Sequence, residues 1–141
     1  MNVYLDIDGV LLARNGSPAN HANEFLRHIL TYYAGNTYWL TTHCQGDTSV
    51  PVAHIGHLFD PDVQELIKSI KPTSWAIVKT QGVDFTRPFL WFDDQLGYAD
   101  KQALVEHNAL DNLIFVDLVS DPDQLQQFIH DFPLSTSESD Q

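Results

Sequence analysis

Short apolar runs that end in polar residues alternate along this chain with longer stretches in which apolar residues recur every three or four positions. Residues 2 to 7 gather Val3, Tyr4, Leu5 and Ile7 into a β-like run that stops at Gly9, where the backbone can turn without steric cost. After the turn chemistry of "RNGSP", Phe25, Leu26, Ile29, Leu30 and Tyr33 repeat at helical spacing, and Gly35-Asn36 supplies a stop. "TYWL" (37–40) is a second strand opening into the polar "TTHCQGDTS". Asp60-Pro61 starts a second helix carrying Val63, Leu66, Ile67 and Ile70 before Pro72. "SWAIV" (74–78), "FLWF" (89–92) and "LIFVDL" (113–118) are further strand-like runs. Tyr98 to Asn108 forms a third helix, and Leu125, Phe128, Ile129 and Phe132 mark a fourth.

The order strand, helix, strand, helix, strand, strand, helix, strand, helix predicts an α/β domain with a mostly parallel central sheet and helices on both faces. One domain is expected over residues 1–133, with 134–141, "LSTSESDQ", as a flexible acidic tail. The segment "TTHCQGDTSVPVAHIGHLFD" is the longest stretch read as irregular and is expected to serve as a small lid.

Composition narrows the function. With 19 acidic and 7 basic side chains the formal charge is −12, which disfavours a nonspecific grip on nucleic-acid backbones. The single cysteine, Cys44, excludes an intramolecular disulfide, no run approaches the length of a membrane span, and the absence of a leader-like start makes a reducing cytoplasm the expected home.

In parallel α/β sheets ligands bind beyond the carboxyl ends of the strands. Those ends carry Asp6 and Asp8, Thr41 and Thr42, Lys79 and Thr80, Asp93 and Asp94, and Asp117. Two acids at alternate positions on a strand edge repel each other unless a cation compensates them. Carboxylates from two strand ends suit a hard divalent ion such as Mg²⁺, and a hydroxyl and an ammonium beside them suit an anion. Asp6 is then placed to attack phosphorus and Asp8 to move protons. Gly9, Thr42 and His43, in the loops that follow, are candidates for contact with substrate. A zinc set of His43, Cys44, His54 and His57 can be written down, but the adjacent His-Cys pair does not fit the usual ligand spacings.

"YLDIDGVLL" resembles the first motif of the haloacid dehalogenase superfamily of phosphatases and phosphotransferases, an apolar strand ending in Asp-x-Asp-Gly. "YWLTTH" is similar to its second motif and "FLWFDDQ" to its fourth, in the same order. The resemblance implies a three-layer Rossmann-like fold and a Mg²⁺-dependent phosphomonoester hydrolase working through an aspartyl-phosphate on Asp6. It makes Asp6 the nucleophile and a metal ligand, and Asp8 the general acid/base with its backbone carbonyl on the metal. Thr41, in preference to the adjacent Thr42 with which a one-residue slip would exchange roles, becomes the phosphoryl-binding hydroxyl, Asp93 a metal ligand, and Asp94 a ligand directly or through water. The third motif is a single lysine. Lys79 fits better than Lys68 or Lys71, since it follows an apolar run and precedes the acidic pair by 14 positions (93 − 79). Only 35 positions separate Asp6 from Thr41 (41 − 6), so no cap domain fits between them, and an open site leaves small and macromolecular phosphoesters both in play. A regulatory domain that binds phosphate, Mg²⁺ or a protein partner without turnover is the second reading. A receiver-type signalling domain carries its acidic pair first and its phosphorylated Asp later, and that order rejects it.

Overall fold

Four short strands, β1 (Asn2–Leu5), β2 (Thr37–Trp39), β3 (Phe89–Asp93) and β4 (Leu113–Phe115), form one sheet in the order β2-β1-β3-β4 in a computed structural model that describes residues 1–133. Every neighbouring pair is parallel. Five helices accompany them: α1 (Ala22–Tyr32), α2 (Ser49–Ile55), α3 (Pro61–Leu66), α4 (Tyr98–Glu106) and α5 (Gln124–Asp131). The result is an α/β protein whose all-parallel sheet is compatible with a Rossmann-like arrangement.

Strand alternation builds two cores from one sheet. Val3, Leu5, Leu90 and Phe92 join α1, α3 and α5 through Phe25, Leu26, Ile29, Val63, Leu125 and Phe128. Tyr4, Phe89 and Trp91, one residue out of phase, pack with Leu104 of α4 and with Val83. Parallel sheets need both faces covered, because their strands are apolar on both sides. Aromatic edges close the first core, with Phe92 meeting both Phe25 and Phe128 edge-on at centroid distances of 5.4 and 5.3 Å.

The strand order also creates a switch point. From β1 the chain crosses through α1 to β2 on one side, and β3 and β4 then extend the sheet on the other. The ends of β1 and β3 therefore lie side by side where the two halves diverge, the position at which open α/β sheets receive ligands.

Several expectations need correction. β1 stops at Leu5 instead of Ile7, because the Ile7 carbonyl accepts the N–H groups of Val10, Leu11 and Leu12 in a tight turn. "SWAIV" forms no strand: Ile77 is exposed, and the N–H groups of Ile77 and Val78 go to the Gln81 side-chain carbonyl. The pairing expected there is made earlier, where Lys71 donates its N–H to the Thr37 carbonyl and accepts one from Trp39. The second helix ends at Leu66 and tightens into a 3-10 turn over Ile67–Ser69. The segment from Thr41 to Asp60, expected to be irregular, contains α2 and a 3-10 turn over Gly56–Leu58, with Pro51 and Ile55 buried. Its polar, turn-rich start points to a loop, yet the apolar residues that follow have a core to reach. The expected tail, 134–141, lies outside the described residues.

Candidate active site

The register of β1 against β3 assembles the acidic centre. Leu5 pairs with Phe92, and the Asp6 N–H continues the ladder to the Phe92 carbonyl at 3.1 Å. Asp6 thus comes level with Asp93 on the neighbouring strand, where strand spacing alone brings two carboxylates close together. Carboxylate oxygens of Asp6, Asp93 and Asp94 all lie within 4.8 Å of one another. The Asp6 and Asp93 side chains are 9% and 1% exposed.

Charges this buried require partners. Lys79 Nζ donates to Asp93 Oδ2 at 2.8 Å and lies 3.3 Å from Asp6 Oδ2. Trp91 Nε1 donates to Asp93 Oδ2 at 3.2 Å, and the Gln95 N–H donates to Oδ1 at 3.0 Å. Of the other lysines considered, Lys68 pairs with Glu65 and Lys71 sits over the Tyr38 ring, so neither joins the centre.

Three carboxylates against one ammonium leave an excess of negative charge, and the titration behaviour reflects it. Burial, and then the field of Asp93, push the Asp6 carboxyl up to about 7 despite the nearby Lys79. Burial and Asp93 likewise raise Asp94. Burial alone would lower the Lys79 ammonium, but Asp6 and Asp93 outweigh it and leave Lys79 above its ordinary value.

Asp8 stands apart from this cluster. Its side chain is 68% exposed, and Oδ2 meets His43 Nε2 at 2.8 Å. The His43 ring stacks in turn on His54 with centroids 4.3 Å apart. Gly9 sits at φ +80°, and a Cβ there would fall 2.1 Å from Asp94 Oδ2. The glycine is needed so that the Asp94 carboxylate can lie against the backbone after β1. Thr41, fully buried after β2, accepts the His43 N–H at Oγ1, whereas Thr42 is exposed. Cys44 is buried, with Sγ toward the carbonyls of Asp47 and Thr73. Among the described residues the metal-competent carboxylate and histidine groupings reduce to the Asp6, Asp93 and Asp94 cluster.

Other contributors were not legible as site residues. Trp91 reads as core in the sequence and is core, but its indole N–H also orients Asp93; the signal was its place two residues before the acid, on the same face of the strand. Asp100 of α4 accepts the Thr80 N–H and hydroxyl at 2.9 and 2.8 Å, which anchors the 3-10 turn over Lys79–Gly82. No sequence pattern pairs Asp100 with Thr80, since both sit in ordinary polar contexts.

Fold and site together define an α/β protein with a parallel sheet and a buried, lysine-bridged carboxylate cluster at its switch point. No protein-family model, curated protein or solved structure matches the chain.

Proposed function

We propose that the protein is a Mg²⁺-dependent phosphomonoester hydrolase of the haloacid dehalogenase type, with Asp6 as nucleophile and Asp8 as general acid/base. The observation that carries this reading is the unequal treatment of the two acids. Asp6 is buried against Asp93, Asp94 and Lys79, while Asp8, two residues on, is exposed and hydrogen-bonded to His43. A pair of capping aspartates would have no reason to be split in this way.

The donor set fits the ion. Asp6, Asp93 and Asp94 offer clustered oxygen ligands in a pocket with surplus negative charge, which suits a small hard dication. When bound, Mg²⁺ supplies charge neutralisation for the carboxylates and for an incoming phosphate dianion. The chain's own groups carry the remaining steps. An Asp6 oxygen attacks phosphorus, and the bond from phosphorus to the ester oxygen breaks as Asp8 delivers its proton to that oxygen. The Asp8 carboxylate then takes a proton from water as the water oxygen attacks phosphorus. Inorganic phosphate leaves and Asp6 is regenerated, so the sum is ester plus water to alcohol plus phosphate. Lys79, between Asp6 and Asp93, holds the nucleophile oriented and offsets charge on the transferred group. His43 holds Asp8 by a single side-chain contact.

The test is hydrolysis of 4-nitrophenyl phosphate with Mg²⁺. Asp6→Asn is expected to abolish turnover, and Asp8→Asn to lower kcat by roughly 10²- to 10⁴-fold, the usual worth of a positioned acid/base. Equal rates for the wild type and Asp6→Asn across a panel of phosphate esters would overturn the proposal. Binding of phosphate and Mg²⁺ without turnover would support the regulatory reading instead.

A further inference from the structure

A cleft of about 520 Å³ opens on one side of the acidic centre, within the size range of small-molecule sites. Asp8, Gly9 and Asp94 line it together with the turn Ala13–Gly16 and with the end of β4 and the residues after it. Neither Asp6 nor Lys79 lines it. The carboxyl that would protonate a departing oxygen therefore borders this space, and the nucleophile does not, which puts the cleft on the leaving group's side of the centre.

The lining is chemically selective. Phe115 and Val119 are left 54% and 67% exposed, and the half-buried Leu118 lies in the same lining, while Val116 is turned into the core. Phe115, Leu118 and Val119 offer a polyol no hydrogen bond from their side chains, and the side-chain donors in the lining are Gln95 and Arg14. Arg14 takes part in none of the ion pairs among the described residues, so its guanidinium is available in a chain of net charge −12. Guanidinium groups stack on ring faces as well as attracting anions. Asp117, also in the lining, has its Oδ1 engaged by the Ser120 N–H and disfavours a second anion at the far end of the ligand.

We propose that this cleft selects small phosphomonoesters whose leaving group carries an uncharged planar aromatic ring, seated against Phe115 and Val119 with Arg14 beside it. The inference rests on the hydrolase reading above and names its substrate class. Half-exposed aromatic and aliphatic walls bind a ring through apolar contact and edge or face packing, and a confined cleft rewards a ligand that fills it.

The test compares kcat/KM for benzyl phosphate and glycerol 1-phosphate with Mg²⁺. The two leaving alcohols are of similar acidity, so their ratio reports the cleft and not intrinsic reactivity. The wild type should favour benzyl phosphate at least tenfold, chiefly through KM, and Val119→Asp and Phe115→Ser should each cut that ratio at least fivefold. Both positions are surface-exposed, and thermal melts verify that the variants fold. A ratio near one in the wild type, or a ratio unmoved by both variants, overturns the inference while leaving the hydrolase reading intact. A phosphotyrosyl peptide turned over more than tenfold better than free phosphotyrosine overturns the small-molecule assignment. Absence of turnover of every ester defeats the hydrolase reading itself.

Discussion

Gly9 shows how little room the site leaves. Its positive φ is disfavoured for any residue with a Cβ, by roughly 1–2 kcal/mol, and the new carbon would occupy the place of the Asp94 carboxylate. Gly9→Ala is expected to lower the melting temperature and to weaken Mg²⁺ binding measured by calorimetry, because Asp94 must swing away from Asp6 and Asp93. Unaltered Mg²⁺ affinity would mean that the backbone packing at Gly9 is not what holds Asp94 in the cluster. Asp6 and Asp8 make the same point from the other direction. They are two residues apart in one short motif, yet burial separates them into a carboxyl raised by desolvation and an exposed one held by a histidine.

At the scale of elements, the turn that carries Lys79 is the least regular part of the centre and the most dependent on a distant partner. Residues 72–75 before it have no regular structure, 76–78 bend, and Ile77 is 80% exposed. The turn is held by Gln81, whose side chain accepts two N–H groups, and by the buried Asp100 on α4, which accepts two bonds from Thr80. Hydrogen bonds to a charged group contribute about 1.5–3 kcal/mol. Asp100→Ala should therefore destabilise the fold by roughly 2 kcal/mol in urea denaturation, and it should also lower the proposed hydrolase activity by loosening Lys79. Asp100→Asn, which keeps an acceptor, should retain more of both. If Asp100→Ala and Asp100→Asn cannot be told apart in either measurement, the anchoring role assigned to this pair is wrong.

For the whole molecule, the acidic centre couples stability to pH and, under the proposed function, to Mg²⁺. The Asp6 carboxyl is raised to about 7 from an ordinary 3.8, by burial first and by Asp93 second. Between those values the native state keeps a proton that the unfolded chain has released, so stability falls as pH rises from about 4 toward 7. The loss is on the order of a few kcal/mol, since each tenfold change in proton affinity between the two states is worth about 1.4 kcal/mol. Comparing wild type with Asp6→Asn isolates this contribution: in EDTA the wild type should lose stability relative to the variant across that window. Mg²⁺ bound only by the native state stabilises it by about 2.7 kcal/mol at a hundredfold excess over Kd, so adding it near pH 7 should restore the wild type far more than Asp6→Asn. Parallel stability curves for the two proteins would remove Asp6 from the centre of this account.

The sequence by itself determined the α/β class, the alternation that gives β1 and β3 two apolar faces, and the placement of Asp6 and Asp93 at or just past the ends of strands. These follow from local periodicity, which any strand or helix carries in its own residues. It also made Lys79 preferable to Lys68 and Lys71 by position along the chain. What it could not decide depended on partners far away. Whether "SWAIV" became a strand turned on competition for its N–H groups, which Gln81 won, and the apolar residues of 49–58 became helical because a core lay within reach. The contact of Asp8 with His43, the anchoring of Thr80 by Asp100 and the cleft between Arg14 and Val119 join residues 20 to 105 positions apart (100 − 80 and 119 − 14). Motif spacing placed the acids at the carboxyl ends of their strands; only the strand order β2-β1-β3-β4 set β1 beside β3 and made one buried, lysine-bridged cluster of them.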